Sequence, residues 1–369
     1  MRDRTAIVGV GATPYSKDSG VSTLALALRA ISAAVEDAGL TIGDLDGVST
    51  HRVGDSVQAA VVAQALGMRD PRFVSDQFGG GSMSHTTVGQ AAMAVASGVA
   101  ETVVCWRAVN ARSEFRMGGT GRPPPDVVEF QYQVPYGYAT PPQQFAVMAR
   151  AYLDRFGLGR EAFGQVAVRQ RGYAATNERA LMRTPFTMDD YLAARWIVEP
   201  LGLLDCCLET DAAVAVVVTS AERARDLRQM PALVSGAVWG GGHTLFSNGR
   251  GDLTTSAAAE AAPRLWSMAG VGPDDVDVAC IYDAFTPLVL VQLEDYGFCA
   301  KGEAAGFYAD TKVPINPHGG HLSEGYVHGL NHVAAAVRAL RDGASVALST
   351  GQPGYVAGSS SALVLKADR

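Results

Sequence analysis

The second half of the chain repeats the first, and this repeat restricts the fold more than any other feature of the sequence. One Ala-rich helical segment ends in AGLTIGDLDGV, which begins at Ala38, and another ends in AGVGPDDVDVA, which begins at Ala269. A second pair of segments, GGSMS at 80–84 and GGHLS at 319–323, opens a helix that leads to an apolar strand in each half. One match between Ala-rich helices could arise by chance, but two matches in the same order predict a duplicated unit.

Short β-branched runs alternate with longer Ala-rich segments, which is typical of an α/β fold. The chain has 369 residues, enough for about two domains. We therefore predict an N-terminal half over 1–225 and a C-terminal half over 226–369. Two helical segments follow a Gly- and Pro-rich cluster, so the stretch from about 110 to 200 is predicted to leave the sheet. This excursion is expected to present three aromatic side chains on a loop: Tyr132, Tyr136 and Tyr138.

Charge and cysteine content exclude several classes of protein. Acidic residues outnumber basic ones, 37 against 30, so we expect neither nucleic acid nor an anionic membrane surface as a partner. The 5 cysteines form no CxxC pair, which suits a reducing compartment better than a disulfide scaffold. The first apolar stretch is too short for a signal peptide, and no apolar run approaches the roughly 20 residues that span a bilayer. We expect a cytoplasmic protein.

Three further segments, taken with the repeat, carry a resemblance to a known family. They are SGVAETVVCW at 97–106, PLGLLDCCLETDAAVAVVVTS at 200–220 and NPHGGHLSEGYVHG at 316–329. The chain resembles the thiolase superfamily over essentially its whole length, and most closely its lipid-transfer-protein branch. This resemblance implies two similar βαβαβαββ halves that pack face to face in a five-layer αβαβα fold. It also implies an acyl-CoA site where helix N-termini of the two halves converge.

The residues at the family's catalytic positions differ from those of a thiolase. Gly81 stands at the position of the nucleophilic cysteine, and the stretch that would hold the second cysteine, 349–361, contains none. Tyr326 replaces the histidine of the Gly-His-Pro motif, and Tyr282 begins the segment YDAF where the family has Asn-Glu-Ala-Phe or His-Asp-x-Phe. Acyl transfer through a covalent enzyme intermediate is therefore not available by the usual route.

This pattern resembles the steroid side-chain aldolases of the lipid-transfer group. The resemblance implies retro-aldol cleavage of a β-hydroxyacyl-CoA, such as a 17-hydroxy steroid 20-carboxyl-CoA, to a 17-ketosteroid and propionyl-CoA. It implies no cofactor besides the acyl-CoA substrate. It further implies a homodimer bound to a second protein with an OB-fold domain of the DUF35 type.

Both tyrosines are predicted to transfer protons during this reaction. A phenol acts as a base near pH 7 only if a neighbouring cation or donor stabilises the phenolate, and we consider His328 and His318 for that role. We assign catalysis to Tyr282, Tyr326 and His328. Backbone N–H groups near Gly81 and Gly320 are candidate donors to a thioester enolate. The predicted acyl-CoA contacts are Gly80, Gly81, Ser82, Asp283, His318, Gly319, Gly320 and Tyr355.

Four of the 7 histidines lie close together in the sequence, and this leaves alternatives open. They are His318, His321, His328 and His332. His328 and His332 are spaced to share one helical face, as in a metal site, and would suit a metal-dependent acyl-CoA hydrolase. The family loop binds substrate without metal, so we predict no metal. A non-catalytic acyl-CoA or sterol carrier is the other alternative, although a carrier has no need for two phenols at catalytic positions.

Overall fold

A computed structural model describes residues 2–114, 116, 128–240, 251–352 and 360–369 of the chain. Its strands are β1 Thr5–Ala12, β2 Gly47–Arg52, β3 Phe73–Phe78, β4 Thr102–Asn110, β5 Trp196–Val198, β6 Leu201–Gly202, β7 Asp211–Ser220, β8 Ala232–Gly240, β9 Val278–Cys280, β10 Val346–Thr350 and β11 Ser360–Ala367. Its α-helices are α1 Thr23–Ala38, α2 Ala59–Ala65, α3 Ser84–Ala96, α4 Val128–Gln133, α5 Pro141–Phe156, α6 Glu161–Thr176, α7 Met188–Ala193, α8 Ala221–Ala224, α9 Ala258–Ala269, α10 Thr286–Asp295, α11 Ala304–Asp310, α12 Gly320–Ser323 and α13 Leu330–Arg341. None of these helices combines the length and the apolar character needed to cross a membrane.

The strand order shows that the repeat in the sequence is a repeat in topology. Nine strands form one sheet in the order β3-β2-β4-β7-β1-β8-β11-β10-β9. In the first half a parallel pair, β2 and β4, continues through antiparallel pairings to β7 and β1. In the second half a parallel pair, β9 and β10, continues in the same way to β11 and β8. The halves meet where β1 and β8 pair antiparallel. The division of the chain at residue 225 stays a prediction.

The repeated sequence performs the same local task in both halves. α1 ends at Gly39 and α9 at Gly270, and both glycines adopt the left-handed conformation that stops a helix, with φ of 74° and 66°. After each helix an aspartate joins two neighbouring strands through backbone N–H groups. Asp46 accepts hydrogen bonds from the N–H groups of residues 101 and 102, and Asp277 accepts them from those of 345 and 346. The spacing within the repeat therefore places the helix end and the aspartate where the aspartate can link two neighbouring strands.

Two helices lie between the halves of the sheet and produce the layers. α3 contacts β2, β4 and β7 of the first half and β8 and β11 of the second, and α13 contacts β9, β10, β11 and β7. α1 packs on the outer side of β1, β4 and β7, and α9 packs on the outer side of β8 and β11. Because β4 and most of β7 are buried on both faces, their sequences are nearly continuous apolar runs. The five-layer α/β arrangement is confirmed.

Two sequence predictions need correction. The segment GGHLS opens only one helical turn, α12, and the counterpart of α3 is α13, which begins at Leu330 after a loop. The excursion holds α4 to α7 and the β5–β6 pair, and of its three tyrosines Tyr138 lies on a loop as predicted. Tyr132 lies in α4 and Tyr136 in a 3₁₀ turn, because the segment 128–136 forms its own backbone hydrogen bonds.

Candidate active site

The two predicted catalytic tyrosines form a hydrogen-bonded pair at the centre of the molecule. Their hydroxyl oxygens lie 2.8 Å apart, and both side chains are buried. Tyr282 lies between β9 and α10, where its N–H donates to Thr350 Oγ1 at 2.9 Å and its carbonyl accepts from Gln292 Nε2 at 2.7 Å. Tyr326 lies between α12 and α13, where Thr210 Oγ1 accepts from its N–H and donates to its carbonyl. Both backbones are therefore fixed by buried side chains of other elements.

Gly81 leaves the space that the Tyr282 ring fills. A Cβ atom at residue 81 would lie 2.3 Å from the Tyr282 hydroxyl oxygen and 2.4 Å from two ring carbons. Any larger side chain at this position, a nucleophilic cysteine included, would have to displace the phenol. Gly81 and Tyr282 therefore depend on each other. The space that the side chain of a nucleophile would occupy at residue 81 is filled by the phenol ring of Tyr282.

Both phenols are neutral at physiological pH. Burial, with further contributions from neighbours, raises the pKa of Tyr282 and the pKa of Tyr326 well above the ordinary value. Neither histidine considered as a phenolate partner is a cation, because burial lowers the pKa of His328 to about 3 and also lowers the pKa of His318. The lowered pKa values give no support to a phenolate paired with an imidazolium cation, and the role of His328 stays a prediction. The structure offers two hydroxyl groups that both donate and accept.

Arg107, which belongs to β4, provides a buried positive charge close to this pair. Its side chain is fully buried, and Nη2 lies 2.5 Å from Asp55 Oδ2 in a salt bridge. Arg107 Nε donates to His328 Nδ1 at 3.0 Å, and Nη2 lies 2.6 Å from the same nitrogen. The His328 ring in turn packs edge-on against Tyr326, with ring centroids 4.9 Å apart. The predicted residue His328 therefore lies beside the phenols, held by a cation.

Asp283 organises the opposite side of the site. It is fully buried, and its carboxylate accepts from the N–H groups of residues 321 and 322 and lies 3.0 Å from His332 Nε2. Burial raises the pKa of Asp283. The His321 ring stands edge-on to both phenol rings, with centroids 4.7 Å from Tyr282 and 4.9 Å from Tyr326. Asp283 thus fixes the loop that supports the phenols and was predicted as an acyl-CoA contact.

Part of the histidine run, together with Asp283, has the composition of a metal site. Asp283, His321 and His332 offer three ligand atoms within 4.8 Å of one another, all buried. The same carboxylate oxygen already bonds to His332 Nε2 and to the His321 N–H. His332 Nδ1 lies 3.0 Å from His318 Nε2, which continues the hydrogen-bonded chain. His328, the residue that the sequence paired with His332, bonds to Arg107 instead. Most of these polar atoms therefore belong to a hydrogen-bonded network, while His321 Nδ1, 3.2 Å from Asp283 Oδ1, has no hydrogen-bond partner among the described residues. The absence of a metal stays a prediction.

The remaining predicted contacts lie at different distances from the phenols. Gly80 precedes the 3₁₀ turn that begins at Gly81, and Ser82 is buried within that turn. A Cβ at Gly320 would lie 2.0 Å from Asp283 Oδ2, so this glycine lets the loop approach the carboxylate. Gly319 faces α6 instead, because its Cβ would meet Ala174. His318 reaches the site through His332, with Nε2 3.0 Å from His332 Nδ1. Tyr355 lies outside the described residues.

Sequence reasoning missed four buried polar residues around the site: His51, Asp55, His85 and Arg107. His85 bridges Ser84 Oγ and Ser349 Oγ at 2.7 and 2.6 Å and so ties the start of α3 to β10. Arg107 had a signal, since it is the one charged residue in the apolar strand TVVCWRAVN. A charge in a doubly buried strand needs a partner and commonly marks a site.

Comparison with known proteins agrees with this geometry. A family model described as thiolase C-terminal domain-like matches residues 240–366. A steroid side-chain-cleaving aldolase from Thermomonospora curvata is 45% identical, with 99% of this chain and 98% of that protein covered. A 17-hydroxy-3-oxo-4-pregnene-20-carboxyl-CoA lyase from Mycobacterium tuberculosis is also 45% identical, with 92% of each chain covered.

Solved structures give the same result at the level of the fold. A structure described as an Ltp2-ChsH2(DUF35) aldolase superposes with a TM-score of 0.93 at 43% identity, covering 100% of this chain and 99% of that one. A monomeric SCP2-thiolase-like protein from Mycobacterium smegmatis superposes with a TM-score of 0.81 at 22% identity, covering 100% of this chain and 79% of that one. At that identity the second match shows the fold alone.

Proposed function

The chain belongs to the steroid side-chain-cleaving aldolases, a family with the thiolase fold, and we propose that two neutral tyrosines transfer the proton in its retro-aldol reaction. The proposed substrate is a 17-hydroxy steroid 20-carboxyl-CoA, in line with the relative from Mycobacterium tuberculosis. The 2.8 Å contact between the hydroxyls of Tyr282 and Tyr326 carries the proposal for the mechanism.

The reaction needs one proton moved and no external acid or base. The 17-hydroxyl loses its proton as its oxygen forms the ketone, the C17–C20 bond breaks, and its electron pair forms the thioester enolate. Protonation of C20 then gives propionyl-CoA. The proton that leaves oxygen equals the proton that arrives at carbon, so the pair of phenols ends the cycle as it began.

Two hydrogen-bonded hydroxyls can carry that proton without forming a phenolate. One phenol accepts the substrate proton as it passes its own proton to the second phenol, and the second protonates C20. This relay suits the raised pKa of both tyrosines, because neither needs to hold a negative charge. General acid–base catalysis of this kind contributes about 10²- to 10⁴-fold in rate.

The alternatives receive less support. A covalent route needs a nucleophile where Gly81 adjoins Tyr282, and a cysteine there would overlap the phenol. A metal-dependent hydrolase would use Asp283, His321 and His332. Most of their polar atoms already take part in the hydrogen-bonded network, although His321 Nδ1 has no hydrogen-bond partner in the part of the chain that the structure describes. A carrier would not need a buried, paired arrangement of two hydroxyls, which costs desolvation.

The test removes single hydroxyl groups and measures release of propionyl-CoA under saturating substrate. Tyr282→Phe and Tyr326→Phe should each lower kcat by about 10²- to 10⁴-fold, with small changes in Tm. Tyr296→Phe is the matched control, because Tyr296 is equally buried but its hydroxyl lies 3.4 Å from Ser360 Oγ. Near-normal turnover in both site variants, together with tight acyl-CoA binding, would support the carrier instead.

For assembly we propose a homodimer that binds an OB-fold partner. The structural relative is a complex with a DUF35 protein, which supports the partner. The dimer is supported by β3, an edge strand whose outward residues include the exposed Val74 and Phe78. Activity assays should therefore use the chain co-expressed with its OB-fold partner.

A further inference from the structure

Arg107, Asp55 and His328 form a buried cluster that takes no direct part in the proton relay. Arg107 lies in β4, Asp55 in the loop after β2, and His328 in the loop before α13. All three side chains are at most 3% exposed, so their interactions take place without competition from water. This cluster touches the relay at one point, where the His328 ring packs on Tyr326.

The contact with Arg107 determines which nitrogen of His328 carries the proton. A guanidinium group only donates hydrogen bonds, and both Nε and Nη2 of Arg107 lie within 3.0 Å of His328 Nδ1. Nδ1 must therefore accept, and the proton of a neutral ring is on Nε2. A second proton on Nδ1 would face the positive charge of Arg107 at hydrogen-bond distance.

Among the described residues, the charged and titratable groups that face His328 act consistently with this state. Burial and the Arg107 charge lower the pKa of His328, and Asp55, the group that opposes them, is bound by Arg107. His51 of β2, at 6.1 Å between ring centroids, is itself buried and neutral. Tyr326 is a neutral phenol. Residue 328 also adopts a left-handed backbone conformation, with φ of 48°, which the surrounding contacts must hold in place.

We propose that Arg107 is a positioning residue that holds His328 as a neutral imidazole with its proton on Nε2. The ring beside Tyr326 then keeps a single protonation state and a single orientation. Asp55 neutralises Arg107 and fixes its plane. The inference rests on the proposed aldolase function, since it concerns the residue that supports one of the two relay phenols. It accounts for a salt bridge buried next to a site whose chemistry needs no net charge.

The decisive variant removes both charges together, so that no unpaired charge is left in the core. In Asp55→Asn/Arg107→Gln, the pKa of His328 should rise, although burial, the larger cause, keeps it below the ordinary value. The kcat of the wild type should be nearly constant between pH 5.5 and 7.5, whereas the kcat of the double variant should fall as the pH is lowered through this range, because the His328 ring then takes up a proton more readily. KM should change by less than about threefold. Arg107→Lys keeps the charge and one donor, and it should retain the flat profile at a lower kcat.

A second measurement reads the ring directly and does not depend on turnover. In ¹⁵N-histidine NMR of the wild type, the signal assigned through His328→Asn should show an unprotonated Nδ1 and a protonated Nε2 from pH 5.5 to 7.5. In the double variant this signal should titrate. A titrating His328 in the wild type, or a folded double variant with a flat pH profile and an unchanged NMR signal, would overturn the proposal. Failure of the tyrosine variants with an intact NMR result would instead count against the relay alone.

Discussion

At the scale of single residues, the site depends on pairs of residues that fit each other in space. A phenol can occupy the centre of this fold only where the neighbouring helix start has no side chain, and Gly81 provides that space for Tyr282. Because Tyr282 fills this space, the chain keeps a polar active site although it has no nucleophilic cysteine. Arg107 and His328 are coupled in the same sense, because the charge state of one follows from the donor geometry of the other.

The Gly81–Tyr282 contact gives a prediction at this scale. Gly81→Ala should lower kcat by at least tenfold and reduce stability by about 1–3 kcal/mol, because the added Cβ overlaps the phenol and forces it to move. Thermal melts and release of propionyl-CoA would measure both effects. Gly80→Ala is the control, since its Cβ would meet no atom within 4 Å. A cysteine at residue 81 should not create thiolysis activity; detection of acetyl-CoA from acetoacetyl-CoA and CoA would contradict this view of the site.

At the scale of secondary-structure elements, the position of a strand in the sheet determines whether its side chains are buried or exposed. Strands β4 and β7 are covered by helices on both faces, whereas β3 lies at the end of the sheet and alternates half-buried with exposed side chains. An edge strand offers unpaired N–H and C=O groups to another chain. Val74 and Phe78, which are 46% and 67% exposed, give this edge an apolar face. A second copy of the chain can pair with it about a two-fold axis.

This edge gives a prediction for assembly. The Val74→Lys/Phe78→Ser variant should shift the chain from dimer to monomer in light scattering after size exclusion, because a charge and a polar group replace the apolar contact. Val99→Lys is the control, since Val99 is 49% exposed and lies in the turn before β4. A variant that stays dimeric would place the interface elsewhere.

At the scale of the whole molecule, buried histidines determine how the stability of the folded protein changes as the pH is lowered. Burial lowers the pKa of six of the 7 histidines, to about 3 for two of them: His51, His85, His318, His321, His328 and His332. Below about pH 6.5 these histidines are protonated in the unfolded chain and still neutral in the folded one. The unfolded state then binds more protons, so stability falls as the pH falls below about 6.5. Asp283, with its raised pKa, acts in the opposite direction at lower pH.

Calorimetry at constant ionic strength checks this expectation. Tm should change little above pH 7 and drop steeply between pH 6.5 and 5. His51→Phe should flatten the slope by up to one proton, because neither ring nitrogen of His51 has a hydrogen-bond partner among the described residues. A Tm that is constant from pH 7.5 to 5 would show that these histidines already titrate in the folded protein.

The sequence by itself determined the features that are written locally or repeated. The repeat at Ala38 and Ala269 predicted two matching sets of strands, because the same helix stop and the same aspartate joint recur at the same spacing. The loss of the cysteine and the gain of Tyr282 and Tyr326 could also be read from the sequence, because these residues stand at positions of known role in the family that the chain resembles. These features together predicted the retro-aldol chemistry.

Only the tertiary structure decided which polar groups meet and what charge they carry. The contact of Arg107 with His328 joins residues that are 221 positions apart, and no local pattern encodes a pairing at that separation. The same holds for the neutrality of the phenols and histidines, because desolvation depends on everything that packs around a group rather than on its neighbours in sequence. For this reason only the structure shows that the histidine run, which suggested a metal or a cation, is buried, joined by hydrogen bonds and lowered in pKa.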